Sequence, residues 1–249
     1  MDASKVELLP LPDPHAEALR CALEFVFSNF RPFAVIVSGS IIRGNPDPSS
    51  DFDIVVLHDE PWRQRVQKWF GGVPAEIFVN SGAMVKSYFE QESKAGRPVM
   101  AHMLATGNVV FSNSPFTEEI MALAKANLER GPQFTEMDLN QQRYLAACLF
   151  EDAFETRDRD AVTAALILGR AIDNTIKYWY SARQRFAPRS KEQLDPIRVE
   201  APETAALIDR ASVGPLDVRM SAARTLAEEV IQSTGFFEWD SGRSEAPHL

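Results

Sequence analysis

Between Val37 and Val56 the chain reads VSGSIIRGNPDPSSDFDIVV, a stretch whose small residues and acids are spaced for phosphate and metal chemistry. Gly39-Ser40 ends an apolar, β-branched run, and after ten intervening residues Asp51-x-Asp53 opens another. Strand side chains alternate, so Asp51 and Asp53 point the same way, roughly 7 Å apart along the chain. Two carboxylates on one face repel each other unless cations or protons intervene, and magnesium ions held by oxygen ligands relieve that repulsion. A glycine lets backbone pass close to a ligand, Ser40 adds a hydroxyl donor, and a helix expected after the turn presents N–H groups to anions. Glu76, within VPAEIFVN, adds a third acid on a strand expected beside DFDIVVL. Its neighbours Ile77 and Val79 are apolar, so an acid there needs a reason. An Asp-x-Asp pair alone is most often a solvated strand face, and a lone Gly-Ser carries nothing. Donors on one side and three carboxylates on the other make a site for a triphosphate and its metal.

The elements that must position these residues follow from periodicity. Ala18, Leu19, Ala22, Phe25 and Val26 fall at helical spacing between residues 15 and 30. FAVIVSGS reads as a buried strand, GNPDPSSD (44–51) as turns, and DFDIVVL (51–57) as a second strand. PWRQRVQKWF predicts a short helix with Trp62, Val66, Trp69 and Phe70 as its apolar points, ended by Gly71-Gly72 before the strand VPAEIFVN. Helices near 81–94 and 98–106, a strand NVVFS and a helix at 116–129 complete this part. GPQFTEMD (131–138) reads as a boundary, beyond which residues 138–158, 160–185, 203–212 and 216–234 all carry helix periods. The expected class is α+β: an N-terminal mixed sheet with flanking helices (1–132), a C-terminal all-helical bundle (133–240) and a disordered tail (241–249). His58 is expected at the surface end of its strand, His102 packed at a helix edge, and Tyr178, Trp179 and Tyr180 in the core.

Composition narrows the function classes. With 249 residues, 45% apolar and 24% charged, the chain has the balance of an ordinary soluble globular protein. Cys21 and Cys148 form no CxxC, and His15, His58, His102 and His248 are scattered. Zinc sites and disulfide frameworks are therefore not expected, and a reducing cytoplasmic setting is. The opening MDASKVELLPLPDP lacks a signal-peptide core, and no stretch approaches the ~20 apolar residues of a membrane span. A net charge of −9 repels nucleic acid and attracts a cationic small molecule.

The Gly39-Ser40, Asp51-x-Asp53 and Glu76 pattern resembles the nucleotidyltransferase superfamily that includes DNA polymerase beta and the antibiotic nucleotidyltransferases. Arg43-Gly44 and Ser50 fit the form common among bacterial members, and the signature spans about residues 33–80. The helical second domain further resembles kanamycin- and streptomycin-type enzymes. RYLAACLFEDAFE (143–155) is similar to a helix of related bacterial proteins, with Ala147-Cys148 where a Thr-Asp pair is expected. The resemblance implies magnesium-dependent transfer of a nucleoside monophosphate, AMP from ATP, to a hydroxyl of a small-molecule acceptor such as an aminoglycoside-like cation. Asp51 and Asp53 would hold the metal bridging the phosphates, and Glu76 would help bind a second. Gly39, Ser40, Arg43, Ser50 and Lys191 or Arg189 would contact the nucleotide. A carboxylate among Glu151, Asp152 and Glu155, Glu151 first, would deprotonate the acceptor. Neither nucleic acid nor membrane is an expected partner, and a homodimer is left open. The alternatives are nucleotidylation of a protein and a catalytically inactive nucleotide-binding relative.

Overall fold

The computed structural model describes residues 10–243. The chain divides into two compact units, Met1–Gly131 and Pro132–Leu249. Of the tail expected at 241–249, residues 244–249 lie outside the described residues.

In the first unit the β-branched runs form a five-stranded mixed sheet. Its strands are β1 (Ala34–Ser38), β2 (Phe52–His58), β3 (Gln64–Phe70), β4 (Val73–Ser81) and β5 (Asn108–Ser112), in the order β3-β4-β2-β1-β5. β2 and β4 run parallel; the other neighbours are antiparallel. Alternation sends Phe52, Ile54 and Val56 to one face, where α1 (His15–Asn29) packs through Leu19, Leu23 and Val26. Val55 and Leu57 go to the other face with Val85, Phe89, Met103, Leu104 and Ile120 from α2 (Gly82–Ala95), α3 (Val99–Thr106) and α4 (Phe116–Arg130). Burial on both faces makes β1 and β2 near-continuous apolar runs, broken where Asp51 and Asp53 stand.

Four features of this unit differ from the expectations. Residues 61–70, expected to be a short helix, contain the edge strand β3. Gly71 (φ 55°) and Gly72 (φ 85°) form a two-residue hairpin turn that sets Phe70 opposite Val73. As an edge strand, β3 buries only Phe70 fully and leaves Trp69 70% exposed, so it never shows the alternation of a half-buried strand. No helix follows Gly39-Ser40; the chain makes tight turns there, with Arg43 N–H donating to Gly39 O at 3.2 Å. His58 is buried rather than at the surface. Its ring lies 4.1 Å from that of Trp62, its Nδ1 accepts the Glu60 N–H at 3.1 Å, and burial holds its pKa below the ordinary histidine range. His102, expected to pack at a helix edge, is instead exposed on α3.

The second unit is helical: α5 (Glu136–Thr156), α6 (Ala161–Ser181), α7 (Asp195–Glu200), α8 (Pro202–Ser212) and α9 (Leu216–Leu226), with a π-helical turn at Ala227–Ile231. Thr135 and Asp138 cap α5 reciprocally, and Asp160 caps α6 through the Val162 and Thr163 N–H groups. The core is built from small and branched residues, among them Ala146, Ala147, Phe150, Leu168, Ile172 and Ala223, with Trp179 and Tyr180 inside it. Helix α7, unforeseen in sequence, is a six-residue turn opened by Asp195-Pro196. Among the described residues no helix is long and apolar enough to cross a membrane.

The hairpin turn gives a direct test of the β3 assignment. A methyl group at Gly71 would meet nothing closer than 3.8 Å, and one at Gly72 nothing within 4 Å, so only backbone conformation resists substitution. Gly71→Ala/Gly72→Ala should lower unfolding free energy by about 2–4 kcal/mol in urea denaturation, whereas Gly71→Asn should be nearly neutral, since asparagine tolerates the left-handed region.

Candidate active site

Three neighbouring strands carry the acids to one place. In register, Asp53 on β2 stands between Ser38 on β1 and Glu76 on β4, so all three side chains leave the same face of the sheet. Asp51 lies just ahead of β2, two residues from Asp53 and therefore on that side. Each of Asp51, Asp53 and Glu76 is half-buried, and each offers a carboxylate oxygen within 4.8 Å of the other two. Two full charges at 4.8 Å repel by roughly 3 kcal/mol at an effective dielectric constant of about 20. Such a set of hard oxygen donors suits magnesium or manganese, and a divalent ion converts the repulsion into attraction.

The turn before β2 is fitted against these acids. Gly39 has φ 106°, and a Cβ there would stand 2.9 Å from the Asp51 carbonyl oxygen and 3.4 Å from Asp53 Oδ2. A side chain would push the end of β1 away from the aspartates, so the glycine permits a close approach of the protein to itself. Ser40 is buried, and its hydroxyl lies 2.6 Å from that of Ser50. Ser50 Oγ in turn accepts the Asp47 N–H at 2.8 Å, while Asp47 Oδ1 accepts from the Ser49 N–H and hydroxyl. The loop from residue 44 to 50 is thereby tied to the turn, and Ser40 and Ser50 are brought together beside Asp51. Arg43 is exposed on the same turn.

Sequence reasoning missed two residues here. Gln67 on β3 stands directly opposite Glu76, and its Nε2 donates to Glu76 Oε1 at 2.5 Å. Arg65, one pair along on the same face, donates to the same oxygen from Nε at 2.8 Å and pairs with it through Nη2. Its guanidinium also lies 4.8 Å from the Phe78 ring centroid. The signal was the Gly71-Gly72 turn, which fixes the hairpin register and so places residue 67 across from residue 76.

The other expected residues belong to the second unit. Glu151 is half-buried on α5 next to Gly235, where a Cβ would lie 3.2 Å from its Oε1; Asp152 and Glu155 are exposed. Lys191 is exposed in the segment between α6 and α7, and neighbouring Arg189 is paired with Glu192. Trp179 and Tyr180 are core residues, with Arg183 lying 3.9 Å over the Trp179 ring.

Residues 19–98 match the nucleotidyltransferase domain family, and this range holds the whole Gly39–Glu76 arrangement. Among solved structures the chain is similar to a nucleotidyltransferase-like protein from Exiguobacterium sibiricum 255-15, known at 1.90 Å. That likeness has a TM-score of 0.53 and 10% identity, and covers 86% of this chain and 73% of that one, so it is a likeness of fold. No curated protein matches the chain.

Opposite substitutions should separate charge from shape in the metal-free protein. Asp51→Asn removes one of three crowded charges and should raise unfolding free energy by about 1 kcal/mol in EDTA, part of the repulsion it relieves. Gly39→Ala forces a side chain into the left-handed region against the Asp51 carbonyl and should lower it by about 1–3 kcal/mol. Added manganese should raise the melting midpoint of the unsubstituted protein and not that of Asp51→Asn.

Proposed function

We propose that this chain, which carries a nucleotidyltransferase domain at residues 19–98, transfers a nucleoside monophosphate from a nucleoside triphosphate, ATP first, to a hydroxyl of a small-molecule acceptor. The acceptor oxygen bonds to the α-phosphorus, the bond from that phosphorus to the bridging oxygen breaks, and pyrophosphate leaves. The observation that carries this reading is the convergence of the Asp51, Asp53 and Glu76 carboxylates within 4.8 Å beside the Gly39-Ser40 turn.

Asp51 and Asp53 would hold a magnesium ion against the phosphates, and Glu76 would hold a second toward the acceptor. Bound there, the ions supply neutralisation of the attacking and leaving oxygens of an in-line displacement. The protein's own part is positioning and fixed dipoles. Gly39 keeps the turn close enough for backbone N–H groups to face a phosphate, and the linked Ser40 and Ser50 hydroxyls can donate to its oxygens. Arg43 and Lys191 are the proposed cationic contacts to the triphosphate, and both are exposed.

Glu151 is the proposed general base for the acceptor hydroxyl. It is the only one of the three acids at 151, 152 and 155 that is half-buried. The residue one turn earlier on its face is Cys148, where related proteins are expected to carry an acid, so Glu151 is the nearest carboxylate to that place. A net charge of −9 and acids on α5 favour an acceptor bearing amino groups.

With α-phosphate-labelled NTPs, magnesium and a panel of aminoglycosides, lincosamides and neutral polyols, label is expected on a cationic acceptor, from ATP. Asp53→Ala should abolish transfer, a loss of at least about 10³-fold by analogy with removal of a transition-state charge stabiliser. Glu151→Gln should lower kcat by about 10²–10⁴-fold with KM little changed. Metal-dependent NTP binding without transfer to any acceptor would point to a nucleotide-binding relative; label on the protein itself would make a protein the acceptor.

A further inference from the structure

Resting on the proposed role of Glu151 as general base, we infer that the segment from Gly235 to Gly242 is a strap, stretched along α5, that positions this acid. Met137, Tyr144 and Glu151 recur at seven-residue intervals, two helical turns each, and so form one stripe along α5. The segment meets all three in reverse order. A Cβ at Gly235 would lie 3.2 Å from Glu151 Oε1, the Trp239 and Tyr144 ring centroids are 5.4 Å apart, and a Cβ at Gly242 would lie 3.9 Å from Met137 Cε. From Met137 to Glu151 the helix rises about 21 Å, and the seven steps from Gly235 to Gly242 span about 23 Å when extended. The strap therefore runs near its full reach. Its burial alternates as an extended chain requires: Phe237 and Trp239 are partly buried, while Phe236, Glu238 and Asp240 are exposed. A chain without slack couples its two ends.

Glu151 depends on such a hold. It is half-buried, and among the described residues its carboxylate has no hydrogen-bond or ion-pair partner, so packing alone limits where it stands. Gly235 supplies that packing. Its φ lies outside the left-handed region, so backbone conformation does not call for a glycine there. A Cβ would instead stand 3.2 Å from Oε1, 3.3 Å from Cδ and 3.4 Å from Cβ of Glu151, and the missing side chain lets the strap lie against the acid. The Ser233 hydroxyl pins this turn, accepting the Gly235 N–H at 3.3 Å and donating to Gly235 O at 2.7 Å. Farther along, Arg143 donates from Nε to Ile231 O at 2.9 Å, and its guanidinium lies 5.0 Å from the Phe237 ring centroid. Arg143 and Tyr144 precede Glu151 by about 12 and 10 Å along the helix, so their effect on it passes through the strap. With Oε1 against Gly235, an acceptor hydroxyl is directed to the oxygen away from the strap, where the base already stands in place.

Two measurements on the full chain test this, and the first needs no turnover. Carbodiimide-driven coupling of glycinamide to carboxylates, read by mass spectrometry, should modify Glu151 more slowly than the exposed Asp152 and Glu155. Trp239→Ala should speed coupling at Glu151 about tenfold, as expected of a segment that opens locally while the fold stands. Trp239→Phe, which keeps a ring against Tyr144, should restore the slow rate. Phe236→Ala removes a side chain that is 84% exposed and should change nothing. In transfer from labelled ATP to an aminoglycoside, Trp239→Ala and Gly235→Ala should each lower kcat about 10–100-fold with acceptor KM little changed, the scale of a misplaced group. Coupling at Glu151 that ignores Trp239→Ala overturns the strap, and faster coupling with unchanged kcat overturns its positioning role. Full-rate transfer by Glu151→Gln, or no transfer by the unsubstituted protein, fails the proposed function instead, and the coupling contrast still decides whether the strap holds Glu151.

Discussion

Three carboxylates held within 4.8 Å of one another are an electrostatic load, and the first unit is arranged around carrying it. The load sits where β1 ends, β2 begins and β4 passes alongside, with Ser38, Asp53 and Glu76 in register across them. Strands buried on both faces cannot slide to relieve it, because a slip of one residue would send Phe52 and Ile54 to the wrong side. Apolar burial below the site therefore fixes charges that would otherwise move apart. On the proposed reading the same rigidity is useful, since a cation would find its ligands already assembled and lose little in gathering them. Gly39 belongs to this constraint: with no side chain, it lets the turn lie where a Cβ would stand 2.9 Å from the Asp51 carbonyl oxygen.

The second unit solves a different problem. Its core draws heavily on alanine, with Ala146, Ala147, Ala153, Ala164, Ala171, Ala222 and Ala223 all buried, so neighbouring helices approach closely. The departure at Ala147-Cys148 has a physical reading in this core. Ala147 is fully enclosed, and a larger polar residue there would have to leave a hydroxyl among packed methyl groups. Acid is instead retained at Glu151, where Gly235 leaves room beside the carboxylate.

How much of this was legible in the sequence depends on how local the information was. Strands β1 and β2 declared themselves through apolar, β-branched runs, β4 as a strand following the Gly71-Gly72 break, and the helices through their period. The meeting of Asp51, Asp53 and Glu76 followed from placing their strands side by side. What failed was β3, because edge exposure removes the alternation that marks a strand and leaves Trp62, Val66, Trp69 and Phe70 at a misleading helical spacing. That single error hid Arg65 and Gln67, whose partnership with Glu76 exists only through the hairpin register. His58 was misplaced because the strand reading stopped at its end and did not foresee that Trp62, four residues on, brings its ring within 4.1 Å of the imidazole.

The charge balance of the whole chain bears on the order of events. A protein of net charge −9 with three clustered acids repels a nucleoside triphosphate at long range, and screening limits but does not reverse this within about 8–10 Å. Attraction must come from something that enters first or arrives with the ligand. Arg43 stands on the turn beside the aspartates, but one exposed arginine cannot offset the cluster alone. A triphosphate carrying its own divalent ion has its charge roughly halved and, on the proposed reading, would present a cation to Asp51 and Asp53. The acids that would exclude the free nucleotide are thus the groups that would select the metal-bound one. Glu76, already compensated by Arg65, adds little to the initial repulsion.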